Sequence, residues 1–123
     1  MPVPILILTP DPAVRESLRR AAEEFGSVVT TPKPALAIYL AAVHEPRVAI
    51  LDLDVVPRDG RSGLVSTLRQ RFKAAVIGVG NGLTPLDASA LGLAAMVEKP
   101  IDLGTLMVEI DRLLSESAEA RGQ

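Results

Sequence analysis

The chain has 123 residues and a formal net charge of -2, with 48% hydrophobic residues but only 2% aromatic ones. That length suits one compact domain, whose core must be built from Val, Leu, Ile and Ala. The near-balanced charge argues against a non-specific nucleic-acid or membrane-surface binder; the absence of cysteine excludes disulfides, thiolate chemistry and Cys-based zinc sites, and a lone His44 leaves little for a His-based metal site or catalytic triad.

The opening "MPVPILILTPDP" lacks the basic region of a signal peptide, so a cytoplasmic location is expected. Val3 to Leu8 is a continuous apolar run and predicts a strand buried on both faces. Asp11-Pro12 then supplies an N-cap and a first-turn proline. Val14, Leu18, Ala21, Ala22 and Phe25 follow at helical spacing, with Gly26 as the expected helix end. "SVVTT" predicts a short second strand, and Pro32 and Pro34 precede a second helix over Ala35 to His44, apolar on most faces and too short to span a bilayer. His44 is expected as a C-cap side chain. Arg47 to Leu53 predicts the third strand, Gly60 and Gly63 a loop, and Leu64, Leu68 and Phe72 a third helix. "AAVIGV" predicts the fourth strand. Thr84 and Asp87 form a capping box for a short fourth helix ending near Gly92. "LAAMVE" predicts the fifth strand, and Asp102 caps a last helix with the stripe Leu103, Leu106, Ile110 and Leu113.

Strict alternation of buried strands and helices implies a doubly wound, flavodoxin-like α/β domain with a five-stranded parallel sheet, helices on both faces and strand order 2-1-3-4-5. The switch point then lies between the first and third strands. Thr9-Pro10-Asp11 and Asp52-Leu53-Asp54 meet there, and Lys99-Pro100 leaves the fifth strand at the same edge. A carboxylate can attack a phosphoryl group when a cation neutralises the transferring oxygens, which makes Asp52 and Lys99 a coherent pair. As for neighbouring residues, Asp11 is expected mainly as a helix cap, Asp54 as a solvated loop residue, and "GVGNG" as a flexible loop, since a GxGxxG fingerprint would need glycine at Leu83.

The stretches "ILILTPDPAVRESLRRA", "VAILDLDVVPRDG" and "GLAAMVEKPIDLGTL" resemble the receiver domains of bacterial two-component response regulators, from about Val3 to Leu114. The resemblance implies a receiver-like domain over residues 1–115, with 116–123 a polar tail or the start of a linker. It makes Asp52 the phosphoacceptor position and Lys99 the phosphoryl-contacting lysine, and it places Asp54 where the family ligates metal through a backbone carbonyl. Pro57 stands one residue later than the family's loop has it. The two acids that hold magnesium are replaced by Thr9 and Pro10, the hydroxyl residue of the switch by Gly80, and its aromatic residue by Met96. Magnesium favours charged oxygen ligands in octahedral array. With Asp52 as one ligand, only the carboxylate of Asp54 or Asp11 could make up the loss, so no cofactor beyond weak magnesium is expected.

The expectation is a receiver domain, not an enzyme, whose magnesium-dependent switch is weak or lost. It would act through protein partners: a histidine kinase, an output domain or a second copy, with no direct contact to nucleic acid or membrane. Asp52 and Lys99 would form a direct ion pair, and Leu83, Leu86, Met96 and Leu106 would line the docking face. One rival is a fully phosphorylatable receiver. The other is a haloacid-dehalogenase-like phosphatase, since Asp52-Leu53-Asp54-Val55-Val56 resembles that family's motif. That family carries the motif on its first strand, and no acidic pair for its magnesium follows Lys99.

Overall fold

The computed structural model describes residues 3–121, with side chains described through Glu116. Five strands, β1 (Val3–Leu8), β2 (Gly26–Thr31), β3 (Val48–Asp52), β4 (Ala75–Gly80) and β5 (Ala95–Glu98), form one parallel sheet in the order β2-β1-β3-β4-β5. Between and after them run α1 (Pro12–Glu23), α2 (Pro34–His44), α3 (Arg58–Ser66), α4 (Pro85–Leu91) and α5 (Leu103–Arg121). The predicted doubly wound fold is therefore present.

The unbroken apolar runs of the strands are explained by the two cores they feed. Ile5, Ile7, Val48, Ile50, Ile77 and Val79 point to one face and pack with Leu18 and Ala22 of α1 and Leu106, Ile110 and Leu113 of α5. Their alternate neighbours Leu6, Leu8, Ala49, Leu51 and Val76 point to the other face and pack with Ala37 and Ala41 of α2 and Val65 of α3. Successive side chains of a strand face opposite ways, so a strand in the middle of such a sandwich must be apolar at every position. All five residues of β3 are buried, including its terminal Asp52.

Helix ends follow local chemistry where a side chain can reach the backbone. Asp11 caps α1, Asp102 accepts from Gly104 and Thr105 at the start of α5, and Thr84 and Asp87 complete the capping box of α4, which Gly92 closes in the left-handed conformation (φ 78°). Where packing dominates, the sequence pattern misleads. Gly26 does not end α1: the helix stops at Glu23, and Gly26 opens β2 opposite Val3, whose carbonyl oxygen would collide with any Cβ there. Gly60 and Gly63 lie inside α3, which widens into a π-type turn over Thr67–Arg71. The third strand ends at Asp52, and Leu53–Val55 is a single 3₁₀ turn. His44 is the last residue of α2, whose C-cap is Glu45 in the left-handed region (φ 50°). Helix α5 continues to Arg121, into the segment expected to be a polar tail.

The expected docking face is corrected in two places. Leu106 is fully buried on the inner stripe of α5, and Leu83 turns inward under β4, so neither can meet a partner in this conformation. Met96 is half-buried against the second core, and Leu86 is 79% exposed. Leu106→Ala should therefore act as a core truncation, lowering stability by about 3 kcal/mol, as read from urea denaturation. Leu86→Ala should leave the midpoint unchanged.

Candidate functional site

The register of the sheet builds the site. Leu8 of β1 lies beside Leu51 of β3, so the next residues, Thr9 and Asp52, are neighbours at the carboxyl edge. Asp52 pairs with Val79 of β4, and Gly80 pairs with Glu98 of β5, which brings Asn81 and Lys99 to the same edge. The Lys99 amide donates to the Gly80 carbonyl at 3.1 Å, extending the ladder by one residue, and the Lys99–Pro100 peptide bond is cis.

Asp52 is 1% exposed, and both of its oxygens are engaged. Oδ1 accepts from Lys99 Nζ at 3.0 Å and from the Asp54 amide at 3.2 Å, whereas Oδ2 accepts from the Thr9 hydroxyl at 2.9 Å. Thr9 is itself buried, and its oxygen accepts from the Asp11 amide at 3.3 Å. Lys99 Nζ also lies 3.0 Å from Asp54 Oδ2, so a single ammonium bridges two carboxylates. Among the described residues no buried side-chain nitrogen or oxygen lacks a hydrogen-bond partner. Removing the Lys99 ammonium would thus leave a buried charge without its counter-ion, at a cost of several kcal/mol.

Asp54 is not the solvated loop residue expected from the sequence. Its carboxylate accepts from the Asn81 amide at 3.2 Å and from Asn81 Nδ2 at 3.1 Å, as well as from Lys99. Burial pushes the Asp54 carboxyl up, but the hydrogen bonds from Lys99 and Asn81 and the charge of Lys99 outweigh it, so its pKa falls below the ordinary value. Burial likewise pulls the Lys99 ammonium down, and the hydrogen bonds and charges of Asp52 and Asp54 more than reverse this, so its pKa rises.

Gly80 is explained by the same geometry. A Cβ there would stand 3.0 Å from Asp54 Oδ1 and 3.5 Å from the Leu83 side chain. The space that a hydroxyl side chain would need at this position is therefore taken by the Asp54 carboxylate. "GVGNG" proves to be mostly strand, with Gly78 and Gly80 in β4 and only Asn81 and Gly82 in the loop.

A magnesium ion is what the resemblance implies for such a pocket, and the donor set does not fit it. Asp52 and Asp54 face one another through Lys99, Thr9 offers one neutral hydroxyl, and Asp11 accepts from the Ala13 and Val14 amides at the start of α1. Among the described residues no three His, Cys, Asp or Glu side chains are grouped to hold a metal, which corrects the expected set of Asp52, Asp54 and Asp11. Three carboxylates are not brought together because Asp11 lies one residue too late and caps its own helix.

No family model matches the chain. It is 32% identical over 121 residues to the transcriptional regulatory protein FixJ of Azorhizobium caulinodans, covering 95% of this chain and 57% of that protein. Among solved structures it is similar to the signal receiver domain of an HD domain-containing protein from Pseudomonas fluorescens Pf-5 (TM-score 0.82, 17% identity, 99% of this chain and 93% of that one). It is also similar to chemotaxis protein CheY4 of Vibrio cholerae (TM-score 0.78, 18% identity, 92% and 99%). The chain has the fold of these receiver domains, and its sequence is similar to FixJ along nearly its whole length. It spans a little over half the length of its FixJ relative, and the solved structures establish its fold.

Sequence reasoning placed Asp52 and Lys99 at one edge of the sheet and expected their direct contact, which is present. It counted Thr9 only as a missing acid, and it missed Asn81. Thr9 could have been found from its place directly after a buried strand, where a hydroxyl has to bond a neighbour. Asn81 carries no comparable signal, because it stands in an exposed loop, where an amide side chain can be satisfied by water.

Lys99→Met should cost about 3 kcal/mol at neutral pH, because it leaves Asp52 charged, buried and held by neutral donors alone. Asp52→Asn should cost about 1 kcal/mol, since Lys99 keeps Asp54, the amide oxygen still accepts from Lys99 and the Asp54 amide, and the amide nitrogen can donate to the Thr9 hydroxyl. The sign with pH follows from the two shifts. The stabilisation linked to Asp54, whose folded pKa is lowered, is present above its ordinary value of 3.8 and lost as pH falls through the folded value. That linked to Lys99, whose folded pKa is raised, is present below 10.5 and lost as pH rises through the folded value. The gap between wild-type and Lys99→Met urea midpoints should be widest at neutral pH and narrow toward both extremes.

Proposed function

We propose that this receiver-like domain serves two-component signal transduction through protein–protein interaction, with magnesium-dependent phosphorylation of Asp52 weak or lost. The observation that carries this reading is Lys99 bridging Asp52 and Asp54 while Thr9 occupies the facing position. Phosphoryl transfer to a carboxylate needs that carboxylate free to attack in line, and positive charge on the oxygens of the transferring group. Here the cation spends its charge on the two carboxylates, and Asp52 already accepts three hydrogen bonds. An incoming phosphoryl group would have to displace Lys99 and add its own negative charge beside Asp54. Gly80 offers no hydroxyl to bond that group.

The same contacts weigh against a phosphatase. An acid/base at Asp54 would have to protonate a leaving group, yet Lys99 and Asn81 hold its pKa low and its oxygens occupied. A non-enzymatic role fits better, with a histidine kinase, an output domain or a second copy as the partner. No described helix is long and apolar enough to cross a membrane, and the cytoplasm is the proposed location.

The deciding measurement is the intact mass of the protein after treatment with a small phosphodonor and magnesium. The expected result is no stoichiometric adduct. A full adduct that disappears in Asp52→Asn would establish a working receiver instead, and turnover of an aryl phosphate would establish a phosphatase. Thr9→Asp with Pro10→Asp should raise magnesium affinity at least tenfold in calorimetric titration, by restoring charged oxygen ligands opposite Asp52.

A further inference from the structure

Helix α2 turns an entirely apolar face to solvent. Ala37 and Ala41 are buried against the sheet, and on the far side Ala35, Leu36, Tyr39, Ala42 and Val43 are all exposed. At about 100° per residue these five fall within one arc of roughly 120°. Leu36 is 45% exposed, Tyr39 64% and Val43 56%, and no charged residue lies between Lys33 and Glu45. A surface helix ordinarily carries polar side chains on this arc, and a helix apolar all round is one covered on both sides.

Two features indicate what covers it. The stripe is symmetric along the helix: Leu36 stands three positions before Tyr39 and Val43 four after it. A second copy laid antiparallel across α2 therefore sets Leu36 of each chain against Val43 of the other, with the Tyr39 rings near the axis and no charge confronted along the stripe. The ends of the helix are also charged against its dipole. Lys33 sits at the N-cap, where it makes no side-chain cap bond, and Glu45 at the C-cap. Each is unfavourable beside the partial charge of its own helix end. An antiparallel copy brings Glu45 and the carbonyl end to Lys33, and Lys33 and the amide end to Glu45, relieving both at once. Arg71, Phe72 and Lys73 border Glu45 in a shallow hollow, with the Arg71 guanidinium 5.3 Å from the Phe72 ring centre. These extra cations make a carboxylate-bordered helix of another protein the competing occupant.

We propose that α2 is the seam of a two-fold antiparallel dimer of this chain, centred on Tyr39. This does not depend on the chemistry of Asp52. A helix about 16 Å long buries less than the ~1,000 Å² that a tight interface needs, so the dimer is weak and concentration-dependent.

Sedimentation equilibrium of the full chain should show the mass rising from 13.0 kDa toward twice that value between micromolar and millimolar concentration. Tyr39→Glu should weaken association at least tenfold without shifting the urea midpoint. The register is testable because the chain has no cysteine of its own. On mild oxidation Tyr39→Cys should cross-link to itself. Val43→Cys alone should not, since its two copies would lie about 10 Å apart along the axis, but it should cross-link when mixed with Leu36→Cys. A monomer at all concentrations, a dimer indifferent to Tyr39→Glu, or equal cross-linking at every position would overturn the proposal. So would a monomer whose α2 amides shift in NMR only with a synthetic helical peptide bordered by glutamates.

Discussion

A carboxylate at the end of a strand buried on both faces has to have its charge met where it stands, and much of this domain's carboxyl edge is arranged around that need. Asp52 cannot reach solvent. Its neighbours in the sheet are set by backbone pairing, so the partners available to it are the residues that follow β1, β4 and β5. Thr9, Asn81 and Lys99 occupy those places, and each is drawn into one bonded cluster with Asp52 and Asp54. Burial makes the cluster depend on its cation: without Lys99 it strands the charge of Asp52.

In a pocket of this shape the positive charge can come from a bound ion or from the chain. A bound divalent cation can be exchanged and can coordinate an incoming group while holding the carboxylates. Lys99, held by backbone pairing just beyond β5, cannot leave, and two of its three donors are directed at the carboxylates it bridges. Gly80 belongs to the same arrangement. Its missing side chain admits the Asp54 carboxylate, which reaches across to Asn81 and so ties the 3₁₀ turn after β3 to the loop before α4. Thr9, Gly80 and Lys99 are thus mutually consistent, each serving the contacts that Asp52 and Asp54 make.

The outer layer follows a different constraint. Helices α1 and α5 carry charged pairs on their solvent sides, such as Arg19 with Glu23 and Arg112 with Glu109 and Glu116. Helix α2 carries none, although only one of its faces is used by the sheet. An apolar helix side left in water is a cost without return inside a single chain, which is why a symmetric partner gives the most economical account of it.

Most of the fold was legible in the sequence because its signals are local. Apolar runs of strand length, the caps at Asp11, Thr84 and Asp102, and the alternation of strand and helix leave a parallel doubly wound sheet as the natural arrangement. The alternation also placed Asp52 and Lys99 at one edge, since that follows from strand order alone. What local pattern could not show was decided by close approach between distant segments: Gly26 opening a strand against Val3, Gly60 and Gly63 inside a helix, and Leu83 and Leu106 turned inward. By itself the sequence determined the elements, their order and the pair of charges at the switch point. Only the tertiary structure decided that Asp54 joins that pair through Asn81, that Asp11 stays with its own helix, and that the glycine at 80 makes room for a carboxylate. Those outcomes depend on side-chain distances of a few ångströms between residues far apart in the chain, which periodicity and capping rules do not encode.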